Sequence, residues 1–480
     1  MCLFTLVAGA LIGGLALFSA TGSRGEKPRG KGAPDSANTE RSPTNGVGDA
    51  QAQEVEVFFD ELILRQLEER HIPGAMVAVV SDGKLLFAKG YGWADVEEQV
   101  PVAAERTLFH IGSNTKLLTW TAVMQLVEEG KLDLDADVNS YLDFSIPDTF
   151  PQPITLRHLM AHTAGFENRD IGMLAPSPET VVPIGRWLAT QMPARVRQPG
   201  VEAGYSNYGT ALAGYIIERV SGMTYERYIE QRLLGPLDMR RSTPRRQLPP
   251  DLAPDTARGY VLKKGNFREQ SLPTYQVASA GSIRATATDI AHFMTAAHLQ
   301  DGRYREGLIL RPETTRQMHE TLFKPDTRLN GIAYGFFEMD RNGVRISGHI
   351  GSAVPLYYSV LALLPDERTG LFVAYNDSEA LPLTFENETL AAFVDRFFPA
   401  PAAASLVPPP GFTSRADQFT GEYQANTLGG SYTTVEKVRR IMGEGNRRIT
   451  NPGDGTLEVS MLGGDKHFVQ VAPDFFREAA

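Results

Sequence analysis

Residues 110–120 read HIGSNTKLLTW, an extended segment at His110 that turns into a run with helical apolar periodicity by Trp120. Helical spacing puts Ser113 and Lys116 three residues apart on one face of the first turn. A serine hydroxyl is a poor nucleophile at neutral pH and needs a neighbouring base. A lysine amine can be that base when burial and neighbours lower its pKa. The stretch therefore predicts a nucleophile and its activating partner at the start of a helix.

The same pair of residues also has a purely structural explanation. Serine is a common N-cap before a helix, and Ser-x-x-Lys recurs in this chain as Ser81-Asp82-Gly83-Lys84. There, Asp82-Gly83 separates two strand-like runs and is typical of a hairpin turn. A catalytic interpretation of Ser113 therefore depends on further motifs.

Composition indicates a globular protein and excludes some partners. The chain has 480 residues, 42% hydrophobic and 22% charged, which is enough for one large domain and a smaller one. Its 47 basic and 57 acidic residues give a net charge of −10, so we expect no nucleic-acid partner. The single cysteine, Cys2, cannot form an intrachain disulfide. No His, Cys, Asp or Glu cluster has metal-ligand spacing, so we predict no metal and no other cofactor.

The N-terminus predicts a targeting segment. Residues 2–20 are apolar and uncharged, and Ala20-Thr21-Gly22 resembles a small-x-small cleavage site. We interpret residues 1–22 as a signal peptide or a membrane anchor, and residues 23–53 as a disordered linker. The positive charges follow the apolar run, which is the reverse of a secretory signal. We nevertheless expect an extracytoplasmic protein, periplasmic or secreted, with membrane association through the N-terminus if the segment is not cleaved.

From residue 54 to about residue 400 the pattern predicts one α+β domain. An amphipathic helix precedes a β-hairpin at 75–88, helices are predicted near 155–162, 208–221 and 287–299, strands return at 343–348, 357–364 and 371–375, and a helix follows at 390–397. Strands from both ends of the segment thus bracket a helical middle. We therefore expect one antiparallel sheet flanked by terminal helices, with an inserted helical lobe and a cleft for a small molecule.

The C-terminal part predicts a small second domain. Residues 401–415 are rich in proline and indicate a stiff linker. Short strand-like runs separated by Gly and Asp turns follow, so we predict a small all-β domain at 416–480 that ends without a closing element and is expected to be truncated.

A second motif is Tyr205-Ser206-Asn207, in a glycine-flanked loop before a helical run. A phenol can exchange protons with a nucleophile and a leaving group, and the amide beside it can hold a substrate carbonyl or the lysine. Tyrosines and asparagines in loops are more often surface and turn residues, so this motif alone does not define a site.

The third motif, His349-Ile350-Gly351, follows an alternating strand. A glycine there lets a substrate lie against the backbone, and the next amide can point at a developing oxyanion. Two roles stay open for His349, namely binding a substrate carboxylate and polarising the site. The structural alternative is a strand histidine with no part in catalysis.

The order Ser-x-x-Lys, Tyr-x-Asn, His-x-Gly resembles the serine β-lactamase and penicillin-binding-protein superfamily. The similarity is greatest to its class C-like branch, with D,D-carboxypeptidases, D-aminopeptidases and family VIII carboxylesterases. It covers about residues 55–398, and three further segments resemble family elements: Gly90–Asp95, Ile154–Phe166 and Ala280–Asp289.

The resemblance implies catalytic roles for the first two motifs. Ser113 would be the acylated nucleophile, Lys116 its activating partner, and Tyr205 the general base and acid. Asn207 would orient the substrate and the lysine. Whether Lys116 or Tyr205 takes the first proton stays open.

The resemblance also implies substrate-binding roles around the third motif. His349 and Gly351 would line the site, and the backbone N–H groups of Ser113 and Ser352 would form the oxyanion hole. We interpret His162, in one of the similar segments, as a structural residue that fixes a loop.

The function implied is that of a serine hydrolase that acts through an acyl-enzyme on a small amide, ester or peptide. β-Lactamases usually carry Lys-Thr-Gly at the third motif, and the mostly neutral His349 weakens recognition of a penicillin carboxylate. D,D-peptidase or carboxylesterase activity is therefore favoured, with β-lactam hydrolysis as a weak activity. The alternative is a catalytically inactive penicillin-binding-type module that senses cell-wall fragments, which the intact Ser113, Lys116 and Tyr205 disfavour.

Overall fold

A computed structural model describes residues 47–167, 172–299, 303–304, 307–353, 356–377, 387–400, 408–424, 446–460, 465–472 and 475–478. The predicted signal peptide or anchor at 1–22 and most of the predicted linker at 23–53 lie outside these residues. Within them, no helix has the length and apolar character needed to cross a bilayer.

Most helices of the described residues come from the middle of the main domain's sequence. They are α1 (Val47–Arg70), α2 (Thr115–Glu128), α3 (Leu156–Met160), α4 (Ile184–Thr190), α5 (Asn207–Ser221), α6 (Tyr225–Ile229), α7 (Ala278–Gly281), α8 (Ala287–His292), α9 (Pro312–Met318) and α10 (Glu388–Phe397). Short π-helical segments continue α6 and α8, at Glu230–Leu234 and Phe293–Leu299.

The strands fall into a main sheet, several short pairs and a C-terminal sheet. Up to residue 375 they are β1 (Gly74–Ser81), β2 (Lys84–Asp95), β3 (Val100–Pro101), β4 (Phe109–His110), β5 (Leu174–Ala175), β6 (Tyr260–Lys263), β7 (Asn266–Glu269), β8 (Thr274–Tyr275), β9 (Arg284–Ala285), β10 (Arg303–Tyr304), β11 (Gly307–Leu308), β12 (Phe337–Arg341), β13 (Val344–Ala353), β14 (Tyr357–Leu364) and β15 (Thr369–Tyr375). The C-terminal strands are β16 (Gly421–Gln424), β17 (Asn446–Thr450), β18 (Leu457–Val459), β19 (Lys466–Ala472) and β20 (Phe475–Glu478).

A seven-stranded antiparallel sheet forms the centre of the main domain, in the order β12-β13-β14-β15-β1-β2-β3. β1 comes from the start of the domain and β15 from its end, and the two pair directly, with Val77 opposite Val373. Helices α2 to α9 lie between β3 and β12 in the chain and form the inserted lobe. The predicted α+β fold, with one antiparallel sheet built from chain-distant strands, is confirmed.

Both faces of the sheet are covered. Side chains alternate along a strand, so Ala78 contributes to the core of the helical lobe while its neighbour Val77 packs in the core formed with α1 and α10. In that second core the ring of Phe59, from α1, lies 5.7 Å from that of Phe87 and 5.9 Å from that of Phe393. Burial on both faces explains why the central strands are nearly continuous apolar runs.

The hairpin predicted at Asp82-Gly83 is present between β1 and β2. Both residues have positive φ, 46° and 74°, as the two central positions of a type I′ turn require. Ser81 and Lys84 are the last pair of the two strands. The second Ser-x-x-Lys match is therefore a turn.

Two predicted boundaries differ from the structure. α1 begins at Val47, so residues 47–53, assigned to a disordered linker from their composition, are helical. β13 continues through the third motif to Ala353, because residues 348–353 pair with β14. The third motif therefore lies within a strand rather than after one, on a more rigid part of the fold.

The small C-terminal antiparallel sheet is also present. It has the order β16-β17-β18-β19-β20, and Phe412, Ala416 and Leu457 form its core. The prediction of an all-β unit here is confirmed. The linker boundaries at 401–415 stay a prediction, since residues 401–407 lie outside the described residues.

Candidate active site

Ser113 lies in a short 3₁₀ turn, Gly112–Asn114, that leads directly into α2. Gly112 has a φ of 53°, and a Cβ there would lie 2.5 Å from the backbone nitrogen of Ser352. Only glycine fits this close approach. Ser113 is partly exposed whereas its two neighbours are buried. The turn therefore presents one hydroxyl to solvent from a fixed backbone.

The three predicted catalytic side chains meet at this hydroxyl. Lys116 Nζ donates to Ser113 Oγ at 2.8 Å, and the Tyr205 hydroxyl donates to the same oxygen at 2.8 Å. Lys116 is 0% exposed, and its Nζ also donates to the carbonyl oxygen of Ala280 at 2.6 Å. Nζ lies 5.0 Å from the centroid of the Tyr205 ring. The structure thus brings together residues 113, 116 and 205 in one hydrogen-bonded cluster.

Tyr205 is held in place by the residue that follows it and by a histidine. The Ser206 side chain caps α5 by accepting the N–H of Gly209 at 3.0 Å. The Ser206 N–H in turn donates to His162 Nδ1 at 3.2 Å, and the ring centroids of His162 and Tyr205 lie 4.6 Å apart. His162, interpreted from sequence as a loop residue, therefore lies against the tyrosine of the site.

Asn114, which the sequence did not single out, connects the nucleophile turn to the third motif. It is fully buried between these segments, and the amide orientation that satisfies its surroundings has Nδ2 donating to the carbonyl of His349 at 2.9 Å and Oδ1 accepting the N–H of Gly351 at 3.3 Å. A Cβ on Gly351 would lie 1.8 Å from the carbonyl oxygen of Ile111. This close backbone approach requires glycine at 351 and fixes the third motif beside Ser113.

The backbones of Ser113 and Ser352 adjoin as a result. A Cβ added to Gly112, next to Ser113, would lie 2.5 Å from the nitrogen of Ser352, so the two backbones pass close to each other. Ser113 lies in the first helical turn, where an N–H has no intrahelical acceptor. The backbone N–H groups of Ser113 and Ser352, on these adjoining segments, suit the predicted oxyanion hole.

Asn207 lies two residues after Tyr205, outside the hydrogen-bonded cluster. It is the first residue of α5 and partly exposed, and its side chain makes no hydrogen bond within the described part of the chain. The expected contact with Lys116 is not formed; Lys116 bonds the carbonyl of Ala280 instead. A role for the Asn207 amide in binding substrate stays a prediction.

His349 faces the cluster as a neutral ring. It is 1% exposed, and its Nδ1 lies 2.5 Å from the carbonyl oxygen of Ile350, which places the ring proton on Nδ1. Burial, and then the charge of Lys116, lower the pKa of His349 to about 3. Its Nε2 has no hydrogen-bond partner within the described residues. The geometry gives no support to carboxylate binding by His349, since the ring carries no charge at neutral pH and Nε2 can only accept a hydrogen bond. A polarising role for His349 stays a prediction.

No group of three or more His, Cys, Asp or Glu in the described residues could hold a metal ion.

Buried histidines make the stability of the fold depend on pH. Burial is the main cause of a lowered pKa at His110, His162, His298, His319 and His349, the last two falling to about 3. These rings are neutral in the folded protein, whereas the unfolded chain protonates them below about pH 6.5. Their contribution to stability is full above pH 6.5 and is lost as the pH falls. We expect each to reduce the free energy of unfolding by up to ~1.4 kcal/mol per pH unit in that window.

Chemical denaturation at pH 7, 6 and 5 measures this effect. His298→Gln should lower the slope of stability against pH by about one proton, because burial lowers the pKa of His298 well below its usual value. Equal stability at pH 7 and pH 5 would contradict the prediction.

The fold and the three-residue cluster define the class of this protein. An antiparallel sheet with an inserted helical lobe, and a serine bonded to a lysine one turn on and to a distant tyrosine, is the architecture of serine β-lactamases and penicillin-binding proteins. A family model described as Beta-lactamase matches residues 59–396. The chain belongs to the Beta-lactamase family, in the class C-like branch of the superfamily, and the predicted family is confirmed.

Two bacterial relatives illustrate the similarity in sequence. Protein flp of Staphylococcus aureus (strain N315) is 28% identical over 339 residues, which cover 68% of this chain and 65% of flp. Putative penicillin-binding protein PbpX of Bacillus subtilis (strain 168) is 31% identical over 228 residues, 47% of this chain and 54% of PbpX. The alignments thus cover less than two thirds of either relative.

Solved structures show the same fold. The octameric penicillin-binding protein homologue from Pyrococcus abyssi aligns with a TM-score of 0.61 and 25% identity, over 88% of this chain and 93% of that one. SurE aligns with a TM-score of 0.61 and 25% identity, over 91% and 92%. A structure of SurE with D-Leu, at 23% identity and a TM-score of 0.57 over 90% and 92%, supports the fold alone.

Proposed function

We propose that this protein is a serine hydrolase that acts through an acyl-enzyme on small amides or esters. One observation carries the proposal: the partly exposed Ser113 hydroxyl is hydrogen-bonded at 2.8 Å to both Lys116 and Tyr205. Acyl transfer needs a nucleophile, a proton acceptor within reach and an oxyanion site, and each has a candidate here.

Acylation begins when Ser113 Oγ attacks the acyl carbon and its proton passes to Lys116 or Tyr205. Lys116 and Tyr205 are each close enough to accept the Ser113 proton, and the one that accepts it must first be deprotonated. The N–H groups of Ser113 and Ser352 stabilise the oxyanion. Only one partner can reach the leaving group, because Lys116 is 0% exposed whereas Tyr205 is partly exposed. Tyr205 therefore protonates the leaving group.

Deacylation reverses these roles with water. Tyr205 takes a proton from a water molecule that attacks the acyl carbon, and Ser113 Oγ leaves and recovers its proton from the cluster. Throughout the reaction Lys116 stays buried and bonded to Ser113 Oγ and to the carbonyl oxygen of Ala280. These two bonds hold the ammonium group in a fixed position beside the serine.

The proposed substrates are peptides with D-amino acids or short acyl esters. PbpX is described as a putative penicillin-binding protein, and SurE, which is 25% identical to this chain, has also been determined with D-Leu; both descriptions support substrates that contain D-amino acids. The third motif carries a neutral His349 in place of a charged group. Loss of a charge-assisted contact to a carboxylate disfavours β-lactams.

A three-substrate panel tests this proposal. We expect kcat/KM for p-nitrophenyl butyrate, which carries no carboxylate, to exceed that for nitrocefin by about tenfold or more, the effect of one lost charge-assisted hydrogen bond. A D-Ala-D-Ala peptide ends in a carboxylate as nitrocefin carries one, so the comparison of these two substrates reports the preference for a peptide over a β-lactam. A preference for nitrocefin would contradict the proposal and identify a β-lactamase.

We also propose an extracytoplasmic location, with membrane association if the N-terminal segment is retained. The support is the apolar, uncharged run at residues 2–20, which lies outside the described residues. Fractionation of cells that express the full chain tests it, with a chain starting at residue 24 as the control. Recovery of both proteins in the same soluble cytoplasmic fraction would contradict it.

A further inference from the structure

Four rings form an aromatic cluster at the catalytic tyrosine, namely those of His162, Tyr205, Phe337 and His349. The Phe337 ring centroid lies 4.9 Å from that of His349 and 6.1 Å from that of His162. It lies 6.4 Å from that of Tyr205, with the two rings stacked at an interplanar angle of 28°. The proposed mechanism uses Tyr205 and gives no role to Phe337, although the two rings are neighbours.

The backbone of Phe337 is fixed by the main sheet. Phe337 begins β12 and pairs with Gly348, the residue directly before the third motif. The next residue, Glu338, accepts the hydroxyl of Thr321 at 2.6 Å and the N–H of Gly331 at 3.1 Å, which anchors this end of the strand. A strand therefore holds the Phe337 ring beside His349 and Tyr205.

Two members of the aromatic cluster are accessible and two are not. His162 is 3% exposed and His349 is 1% exposed, whereas Tyr205 and Phe337 are partly exposed. The accessible surface of the cluster therefore joins a phenol, whose oxygen lies 2.8 Å from Ser113 Oγ, to an apolar ring. Covering such a ring with another apolar group is favourable because it removes apolar surface from water.

The rings that contact Phe337 carry no charge at neutral pH. Burial is the main cause of a lowered pKa at both histidines, well below the usual value for His162 and to about 3 for His349. Neutral aromatic surroundings suit an apolar group, because a carboxylate placed against them would lose water without gaining a charged partner from these rings.

We propose that Phe337 forms an apolar subsite for the leaving group, and that the preferred leaving group carries an aromatic ring, such as a benzyl group. This inference rests on the proposed function, in which Tyr205 protonates the leaving group. The leaving oxygen or nitrogen then lies at the Tyr205 hydroxyl, and a ring attached to it can extend along the tyrosine side chain to Phe337. Aromatic rings attract each other at centroid separations of about 4.5–7 Å, the range already seen within this cluster.

A matched pair of esters tests the subsite. Benzyl butyrate and methyl butyrate share their acyl group and release alcohols of similar acidity, so the ratio of their kcat/KM values isolates the aromatic ring. We expect the benzyl-to-methyl ratio to fall by about tenfold in Phe337→Ala, and by less in Phe337→Leu, which keeps an apolar side chain. The ratio cancels any general loss of activity or of folded protein that the substitution causes.

Phe58→Ala is the matched control. Phe58, in α1, is also partly exposed, and its ring packs 4.9 Å from that of Phe59 and 5.3 Å from that of Phe397. It packs against the core formed with α1 and α10, on the face of the sheet opposite the helical lobe. We expect the ratio to stay unchanged in this variant. An unchanged ratio in Phe337→Ala, or an equal fall in Phe58→Ala, would overturn the subsite.

A binding measurement separates failure of the subsite from failure of the proposed function. N-benzylbutyramide is the amide analogue of the first ester, and its binding to Ser113→Ala, followed by ligand-observed NMR, needs no turnover. We expect its Kd to rise by about tenfold in Ser113→Ala/Phe337→Ala, with N-methylbutyramide little affected. Binding that depends on Phe337, without hydrolysis of either ester by the wild type, would retain the subsite and remove the proposed function. Binding that is equal in the two variants, or absent from both, would overturn the subsite.

Discussion

Ser113→Ala should abolish covalent labelling by a fluorophosphonate or a fluorescent penicillin and reduce kcat/KM by about 10⁴-fold or more. The reason is that the substitution removes the oxygen to which Lys116 and Tyr205 both donate. Labelling followed on a denaturing gel measures acylation directly, without knowledge of the natural substrate.

Ser81→Ala is the control because Ser81 begins the other Ser-x-x-Lys match in the chain. That serine ends β1, next to the hairpin turn, and lies in no cluster with a lysine and a tyrosine. Its substitution should leave labelling intact. Equal labelling of Ser113→Ala and wild type would refute the assignment of Ser113 as the nucleophile. A wild type that reacts with neither probe would favour the inactive module that senses cell-wall fragments.

Tyr205→Phe should lower kcat/KM by about 10²- to 10⁴-fold, the usual contribution of a positioned proton-transfer group. The substitution removes the hydroxyl 2.8 Å from Ser113 Oγ but keeps the ring, which packs 4.6 Å from that of His162. Stopped-flow measurement of probe acylation and of turnover separates the two halves of the reaction. Because Tyr205 is proposed to act in both, both rates should fall.

Tyr215→Phe, in the helix α5 that follows Tyr205, provides the control. The Tyr215 hydroxyl bonds the exposed carboxylate of Asp143 at 2.9 Å, away from Ser113. This variant should retain the wild-type rates. A Tyr205→Phe enzyme with full activity would assign proton transfer to Lys116 alone.

Much of the fold could be predicted because its signals are local. Asp82-Gly83 predicts a type I′ turn from two residues that tolerate positive φ, and the structure has it. The apolar runs at 357–364 and 371–375 correspond to β14 and β15 because both faces of the sheet are buried. The start of α1 could not be predicted from composition, since polar residues 47–53 extend a helix that its later turns anchor to the sheet.

The motifs of the candidate site could be predicted from the sequence, but the residues that hold those motifs in place could not. The order of the motifs identified Ser113, Lys116 and Tyr205, and the fold brings them together. Asn114 and His162 carry no local signal, because their roles depend on contacts with residues far away in the chain. The state of His349 depends on burial and on the nearby ammonium group, neither of which can be read from neighbouring residues.

The pairing of β1 with β15 also has a consequence for synthesis on the ribosome. The N–H of Gly74 donates to Asn376 Oδ1 at 2.8 Å across 302 residues of chain, so the sheet closes only after nearly all of the main domain has been translated. Contacts this distant in sequence slow folding. A nascent polypeptide that already carries Ser113, Lys116 and Tyr205 still lacks β13, and therefore emerges from the exit tunnel with the candidate site incomplete.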